Sequence, residues 1–181
     1  MFVPLFGTGQ GSGASPAVWL SLIVILLRTL DRLIPDWVNF TSVSGDISHS
    51  RLADAFVDDT SLSFTSSSDD ADINDLITCL EHIAQTWEQL LHLSGGKLNL
   101  AKCSWFIVRW EWKKGRPVIR PIETLDKEIQ ITQGTNVSDP CSIRCTALNE
   151  SSRMLGVFLN PLGDFGFHNE AIKEESGCLC F

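Results

Sequence analysis

Phe56-Val57-Asp58-Asp59, set between Arg51-Leu52-Ala53-Asp54-Ala55 and Thr60-Ser61-Leu62-Ser63-Phe64-Thr65, is the stretch whose reading decides the fold. Before Asp58 the chain is short and apolar, and after Asp59 polar and apolar residues alternate, a pattern that predicts a strand, a tight acidic turn and a second strand. Two carboxylates at the tip of a hairpin make a hard-oxygen site. Such a site suits magnesium, which takes a few carboxylates plus substrate phosphates in preference to a closed protein cage. Asp is also a common turn residue, because its side chain bonds to nearby backbone, and turn chemistry alone accounts for an Asp-Asp pair between strands. The pair therefore draws its meaning from the rest of the chain.

With 181 residues and 44% hydrophobic content, the chain is long enough to bury one core of an ordinary globular class. Its net charge of −8, with only 14 Lys and Arg, argues against a free-standing nucleic-acid binder, since phosphate backbones are held chiefly by those residues. Cys79, Cys103, Cys141, Cys145, Cys178 and Cys180 have neither the density nor the spacing of a disulfide scaffold and read as reduced thiols. Two half-sites for zinc, Cys141 with Cys145 and Cys178 with Cys180, lack a standard ligand rhythm. Asn39, Asn136 and Asn149 open Asn-x-Ser/Thr triplets, which matter only in a secreted chain.

Ala17 to Leu27 is apolar except for Ser21, but spanning a bilayer takes about 20 apolar residues, and Arg28, Asp31 and Arg32 follow at once. No basic residue precedes the run, as a signal peptide would require. A buried core helix is expected, with no membrane partner. Gly7 to Pro16 is a glycine-rich loop leading into that helix, with Pro16 placed for the first turn, Ser15 for the cap, and Pro35 to stop the helix near Leu33. Gly9, Gly11 and Ala14 match a loose dinucleotide fingerprint, but the β-α-β frame that it needs is missing from the pattern.

Val43 to Ser50 reads as a loop, and Ser66 to Asp70 as a polar link. Ile73, Leu76, Ile77, Leu80, Ile83, Ala84, Trp87, Leu90 and Leu91 then share one helical face, which predicts an amphipathic helix packed on a sheet. Ser94-Gly95-Gly96 ends it with a glycine at the left-handed position. Trp105 to Val108 predicts a strand, and Trp110 and Trp112 read as rings packed on a sheet rather than as base-stacking platforms. Lys113-Lys114-Gly115-Arg116 reads as a basic turn before a strand at Pro117 to Ile122. Arg153 to Leu159 predicts another strand, returned as a hairpin by the turn Asn160 to Asp164.

In that order, Gln10-Gly11-Ser12 with Ser15-Pro16 and a helix, Phe-x-Asp-Asp, Leu98-Asn99-x-x-Lys102 after a glycine, and Leu155-Gly156-Val157 resemble the reverse transcriptase palm of retrotransposons. The resemblance runs from Gly7 to about Asp164 and implies an α+β fold, with a palm-like antiparallel sheet packed on two helices. It implies that Asp58 ligates catalytic magnesium and Asp59 supports that site. Phe56 would sit beside the primer end. Gln10, Gly11 and Ser12 would line the template and incoming nucleotide, Lys102 would help protonate the leaving pyrophosphate, and Leu155-Gly156-Val157 would lie in the primer-grip hairpin. The implied partners are an RNA or DNA template-primer and a deoxynucleoside triphosphate, in an intracellular setting.

One departure limits the activity expected. Two-metal phosphoryl transfer needs carboxylates from separate strands converging on ions about 3.5–4 Å apart. In the family another Asp lies on a strand well before the Gln-Gly-Ser loop, whereas here nine residues precede Gln10 and none is acidic. Asp54 shares a straight strand with Asp58 but lies on the order of 13 Å along it. The chain is therefore expected to be a partial palm over residues 1–165, truncated on its amino-terminal side, with a disordered or truncated tail over 166–181. It should bind nucleic acid weakly, bind magnesium weakly or not at all, and not polymerise alone. The alternative is a non-catalytic palm remnant that self-associates through an open sheet edge.

Overall fold

The computed structural model describes residues 15–34, 38–56, 59–66, 71–120, 127–134, 140–154, 157–163 and 166. The architecture is mixed α+β, with two helices and several small, mostly antiparallel sheets. In chain order, helix α1 (Ser15–Leu33) precedes strands β1 (Val38–Thr41), β2 (Ser48–Arg51), β3 (Ala53–Phe56) and β4 (Asp59–Leu62). Helix α2 (Ile73–Leu93) follows, then a 3-10 turn (Leu100–Lys102). Strands β5 (Ser104–Trp105), β6 (Arg109–Lys113), β7 (Arg116–Arg120), β8 (Glu128–Thr132) and β9 (Pro140–Cys145) come next. A last pair, β10 (Ser152–Met154) and β11 (Val157–Leu159), completes the order. The chain divides into two compact units, Met1–Ala101 with Ile129–Ser142, and Lys102–Glu128 with Ile143–Phe181.

In the first unit the core lies between the helices. α1 starts at Ser15-Pro16, where the proline ring presets the dihedral of a first turn, and carries Arg32 in its last turn against the negative end of the helix dipole. Its buried residues Ile23, Leu26 and Leu30, with Ile34 just beyond, recur every three or four residues, so they form one stripe. That stripe meets Ile83, Trp87 and Leu90 of α2, together with Leu52, and each such side chain contributes roughly 1.5–3 kcal/mol on burial. Val18, Leu20, Val24, Ile25 and Leu33 remain exposed. The expected core helix is thus present, but among the described residues it is buried along one stripe and not all round.

α2 has both ends satisfied. The Asp72 carboxylate accepts the Asn74 N–H at 3.0 Å, and Asp75 lies in the first turn, where the dipole favours negative charge. At the other end Gly95 takes a φ of 88°, its N–H donating to His92 O at 3.0 Å while Gly96 N–H donates to Leu91 O at 2.8 Å. These two bonds are the paired closure expected of a glycine-terminated helix.

Two antiparallel hairpins belong to this unit, β1 with β2 and β3 with β4. Residues 43–50 do not form one loop, since Ser48–Arg51 is a strand paired with Val38–Thr41. Its side chains are all exposed, so no buried alternation marked it in the sequence. Between β2 and β3 the buried Leu52 turns into the core, and its carbonyl accepts Ser63 N–H at 2.7 Å, extending the second hairpin by a step. β8 pairs with β9 and buries Ile129 and Ile131 on one face.

The second unit contains a parallel pairing of β5 with β9, in which Trp105 is 5% exposed and donates its ring N–H to Ile143 O at 3.0 Å. β5 covers two residues only, not the longer strand expected over 105–108. β6 and β7 form a hairpin whose connecting residues, Lys114 and Gly115, have φ of 53° and 75°. Positive values at both positions mark the type I′ turn, whose twist matches that of the flanking strands. The single strand expected over 153–159 is instead two short ones, with Met154 paired to Val157. The next turn is closed by Gly163 N–H donating to Asn160 O at 3.0 Å.

Candidate functional site

The acidic stretch falls on the β3–β4 hairpin. Register pairs Phe56 with Asp59, Ala55 with Thr60, Asp54 with Ser61 and Ala53 with Leu62. Directly opposed residues point to one side of a sheet and neighbours along a strand to opposite sides. Asp54, Phe56, Asp59 and Ser61 therefore share one face, and Ala53, Ala55, Thr60 and Leu62 the other. Leu62 packs against the helical core, and Asp54, Phe56 and Asp59 on the opposite face are exposed. Phe56, at 60% exposure, stands beside Asp59 as a large apolar side chain left in solvent.

Asp58 and Val57 lie outside the described residues, as do Gln10, Gly11, Ser12, Leu155 and Gly156. Lys102 is the exposed last residue of the 3-10 turn, and Val157 opens β11; both belong to the second unit. Of the residues singled out in the sequence, the structure brings together Phe56 and Asp59 as cross-strand partners.

Asp54, set far from Asp58 along a straight strand, lies near Asp59 across the hairpin, and Asp58 is outside the described residues. Measured along a single strand it is remote from the turn, but across the hairpin it is the diagonal neighbour of Asp59, a relation that puts Cα atoms about 7–8 Å apart. Asp54 is already ion-paired with Arg51. The signal was present as Arg51-x-x-Asp54, and only the register shows which face it occupies. Among the described residues no group of three or more His, Cys, Asp or Glu could hold a metal ion. Asp59 and an arginine-paired Asp54 do not by themselves fit a resident magnesium, which demands near-octahedral oxygen at about 2.0–2.1 Å.

Cys79, Cys103, Cys141 and Cys145 are in no disulfide, and Cys178 and Cys180 lie outside the described residues. No described helix is long and apolar enough to cross a membrane. The tryptophans divide: Trp105 is buried, whereas Trp110 and Trp112 are 63% and 75% exposed. The expectation that all three pack on a sheet is corrected for the last two, because β6 and β7 form a sheet of two strands with that face open. Comparisons with protein-family models, curated proteins and solved structures yield no match for the chain.

Proposed function

We propose that the chain is a segment of a retrotransposon-type reverse transcriptase palm, and that on its own it does not polymerise. The parent activity is templated DNA synthesis from deoxynucleoside triphosphates by two-metal nucleotidyl transfer. The observation that supports the reading best is the Phe56–Asp59 register, which puts two residues of the Phe-x-Asp-Asp stretch opposite each other on antiparallel strands. Further support comes from order along the chain. A helix follows Ser15-Pro16, a glycine-closed helix precedes Leu98-Asn99-x-x-Lys102, and a hairpin carries Val157.

In this reading Asp58 and Asp59 bind magnesium weakly, through water and substrate phosphate, with Phe56 beside the primer end. Two-metal transfer needs a third carboxylate converging from a separate strand, and among the described residues no such group of three acids exists. Manganese, a paramagnetic substitute, tests the site. With a deoxynucleoside triphosphate present, it should broaden the amide signals of residues 56–60 in the wild type and not in Asp58→Asn; broadening elsewhere or nowhere sinks the palm reading. Primer extension with magnesium should give no product. Incorporation abolished by Asp58→Asn would show instead that the chain is a working enzyme.

A second reading, a non-catalytic module that pairs with another chain, is favoured by the exposed Val18, Leu20, Val24, Ile25 and Leu33 along α1. Exposed apolar surface of that kind marks interaction sites when it is contiguous. Sedimentation over a range of concentrations decides it. Association that rises with concentration and is abolished by Leu20→Lys with Ile25→Lys supports the module, and a monomer throughout rejects it.

A further inference from the structure

The β6–β7 hairpin separates its chemistry by face. Register pairs Trp110 with Ile119 and Trp112 with Pro117, so one face is aromatic and apolar. Arg109 with Arg120 and Lys113 with Arg116 line the other face, on either side of the pair Glu111 with Val118, and Lys114 stands at the tip. Residues 109–120 hold five Lys and Arg against one Glu in a chain of net charge −8, so positive charge is gathered on this ribbon against the overall balance. Screening confines charge effects to about 8 Å in physiological salt, which lets a local cationic patch act despite an acidic remainder.

From this arrangement we propose that the β6–β7 hairpin is a binding site for single-stranded nucleic acid. The proposal uses none of the residues on which the palm reading rests. Trp110 and Trp112 stand two residues apart on one strand, about 6.8 Å, so each ring can take one base. Their exposed faces are flat stacking platforms that any base can use, whereas a duplex keeps its base faces covered. The ribbon is two strands wide, about 4.8 Å, so long Lys and Arg side chains rooted on the opposite face reach past its edges to phosphates alongside. Lys113 is held by Glu111 at 2.5 Å, but Lys113 is exposed and a surface pair of this kind contributes little, so the ammonium can exchange for a phosphate.

An anionic membrane surface also attracts Trp and cations, but the observations favour it less. The apex Lys113-Lys114-Gly115-Arg116 is the most highly charged part of the hairpin, so insertion tip-first would drive charge into hydrocarbon. Lying flat on its aromatic face would turn most of the cations away from the headgroups.

Fluorescence anisotropy of a labelled oligothymidylate, titrated with the full chain, tests the proposal. Binding should weaken with salt, and the log–log slope should fall by about 0.7 for each phosphate that a cation no longer neutralises, as in Lys114→Ala or Arg116→Ala. Trp110→Ala with Trp112→Ala should reduce affinity at least about fivefold, while Trp110→Phe with Trp112→Phe should retain most of it. Circular dichroism shows whether each variant keeps its fold. No saturable binding, affinity untouched by the alanine pair in a folded protein, or tighter binding to phosphatidylserine vesicles than to the oligonucleotide would each overturn it. Asp58→Asn should leave this binding unchanged, so the result stands apart from the fate of the palm reading.

Discussion

Gln85 on α2 meets Thr132 on β8 as a neighbouring strand would. Its amide oxygen accepts the Thr132 N–H at 2.7 Å and its amide nitrogen donates to Thr132 O at 3.0 Å. One turn earlier Glu81 accepts the Gln130 N–H at 2.9 Å. Among the described residues β8 pairs with another strand on one side only, so these helix side chains occupy the hydrogen-bonding groups that an edge would otherwise offer to a second chain. Gln85→Leu keeps the bulk but removes both backbone bonds, and with them the bond that the Thr132 hydroxyl donates to Gln85 Oε1 at 3.1 Å. It is expected to cost roughly 1–3 kcal/mol, because two backbone groups are left without partners. Urea unfolding measures the destabilisation, and sedimentation should show new association of the variant. A variant as stable and as monomeric as the wild type would mean that the pairing has no protective role.

Glu88 is fully buried on the same helix, and one carboxylate oxygen accepts the Leu98 N–H at 2.8 Å. Its other oxygen has no hydrogen-bond partner among the described residues. The bond ties the chain after the Gly95-Gly96 closure back onto the helix. Glu88→Ala should destabilise by roughly 2 kcal/mol or more, since it strands the Leu98 N–H and leaves a void. Glu88→Gln keeps an acceptor for that N–H and should cost clearly less. Equal destabilisation in the two variants would show that volume, and not the bond to Leu98, governs the site.

How far the sequence could be read depended on whether local pattern or long-range pairing decided an element. α2 was legible because nine apolar residues repeat at helical spacing and a glycine closes it, and the structure bounds it at Ile73–Leu93. The β3–β4 hairpin was legible because alternation changes abruptly around Asp58. By contrast, Ser48–Arg51 is polar throughout and became a strand only through its partner Val38–Thr41. The exposed side of α1 and the open rings of Trp110 and Trp112 were missed for a related reason. Hydrophobicity says that a residue can be buried, while only the count of neighbouring elements says whether anything covers it. Asp54 and Asp59 fell on one face through register, which no spacing along a single strand reveals.

Gly95 and Gly96 are adjacent but bear different constraints. Gly95 has a φ of 88°, a region where a side chain costs roughly 1–2 kcal/mol through its Cβ. At Gly96 an added Cβ would meet Leu91 O at 3.5 Å, ordinary contact, and its backbone has no positive φ. Gly95→Ala should therefore lower stability by about 1 kcal/mol and Gly96→Ala by distinctly less, measured by denaturant midpoints at equal slope. The reverse order would refute the assignment of the left-handed position.

The loop between β1 and β2 holds a second acid whose behaviour can be checked directly. The Asp46 carboxylate accepts hydrogen bonds from the hydroxyls of Ser44 and Ser42, the latter at 2.7 Å, in a turn where Gly45 takes a φ of 77°. These bonds favour the charged form, Ser44 most and Ser42 next, and hold the carboxyl below its ordinary value of 3.8. A depressed folded pKa means that the contribution to stability is present above the unfolded value and fades as pH falls through the folded one, here below 3.8. Asp46 is fully exposed, so the readable quantity is the titration midpoint and not the folding free energy. Carbonyl-detected NMR should place that midpoint below 3.8, and Ser44→Ala should move it upward. Ser42 also accepts the Ile47 N–H at 3.1 Å, so its replacement would disturb the turn as well, which makes Ser44→Ala the cleaner variant. A wild-type midpoint at the ordinary value, or one that Ser44→Ala leaves in place, would show that the serine hydroxyls do not hold this carboxylate in solution.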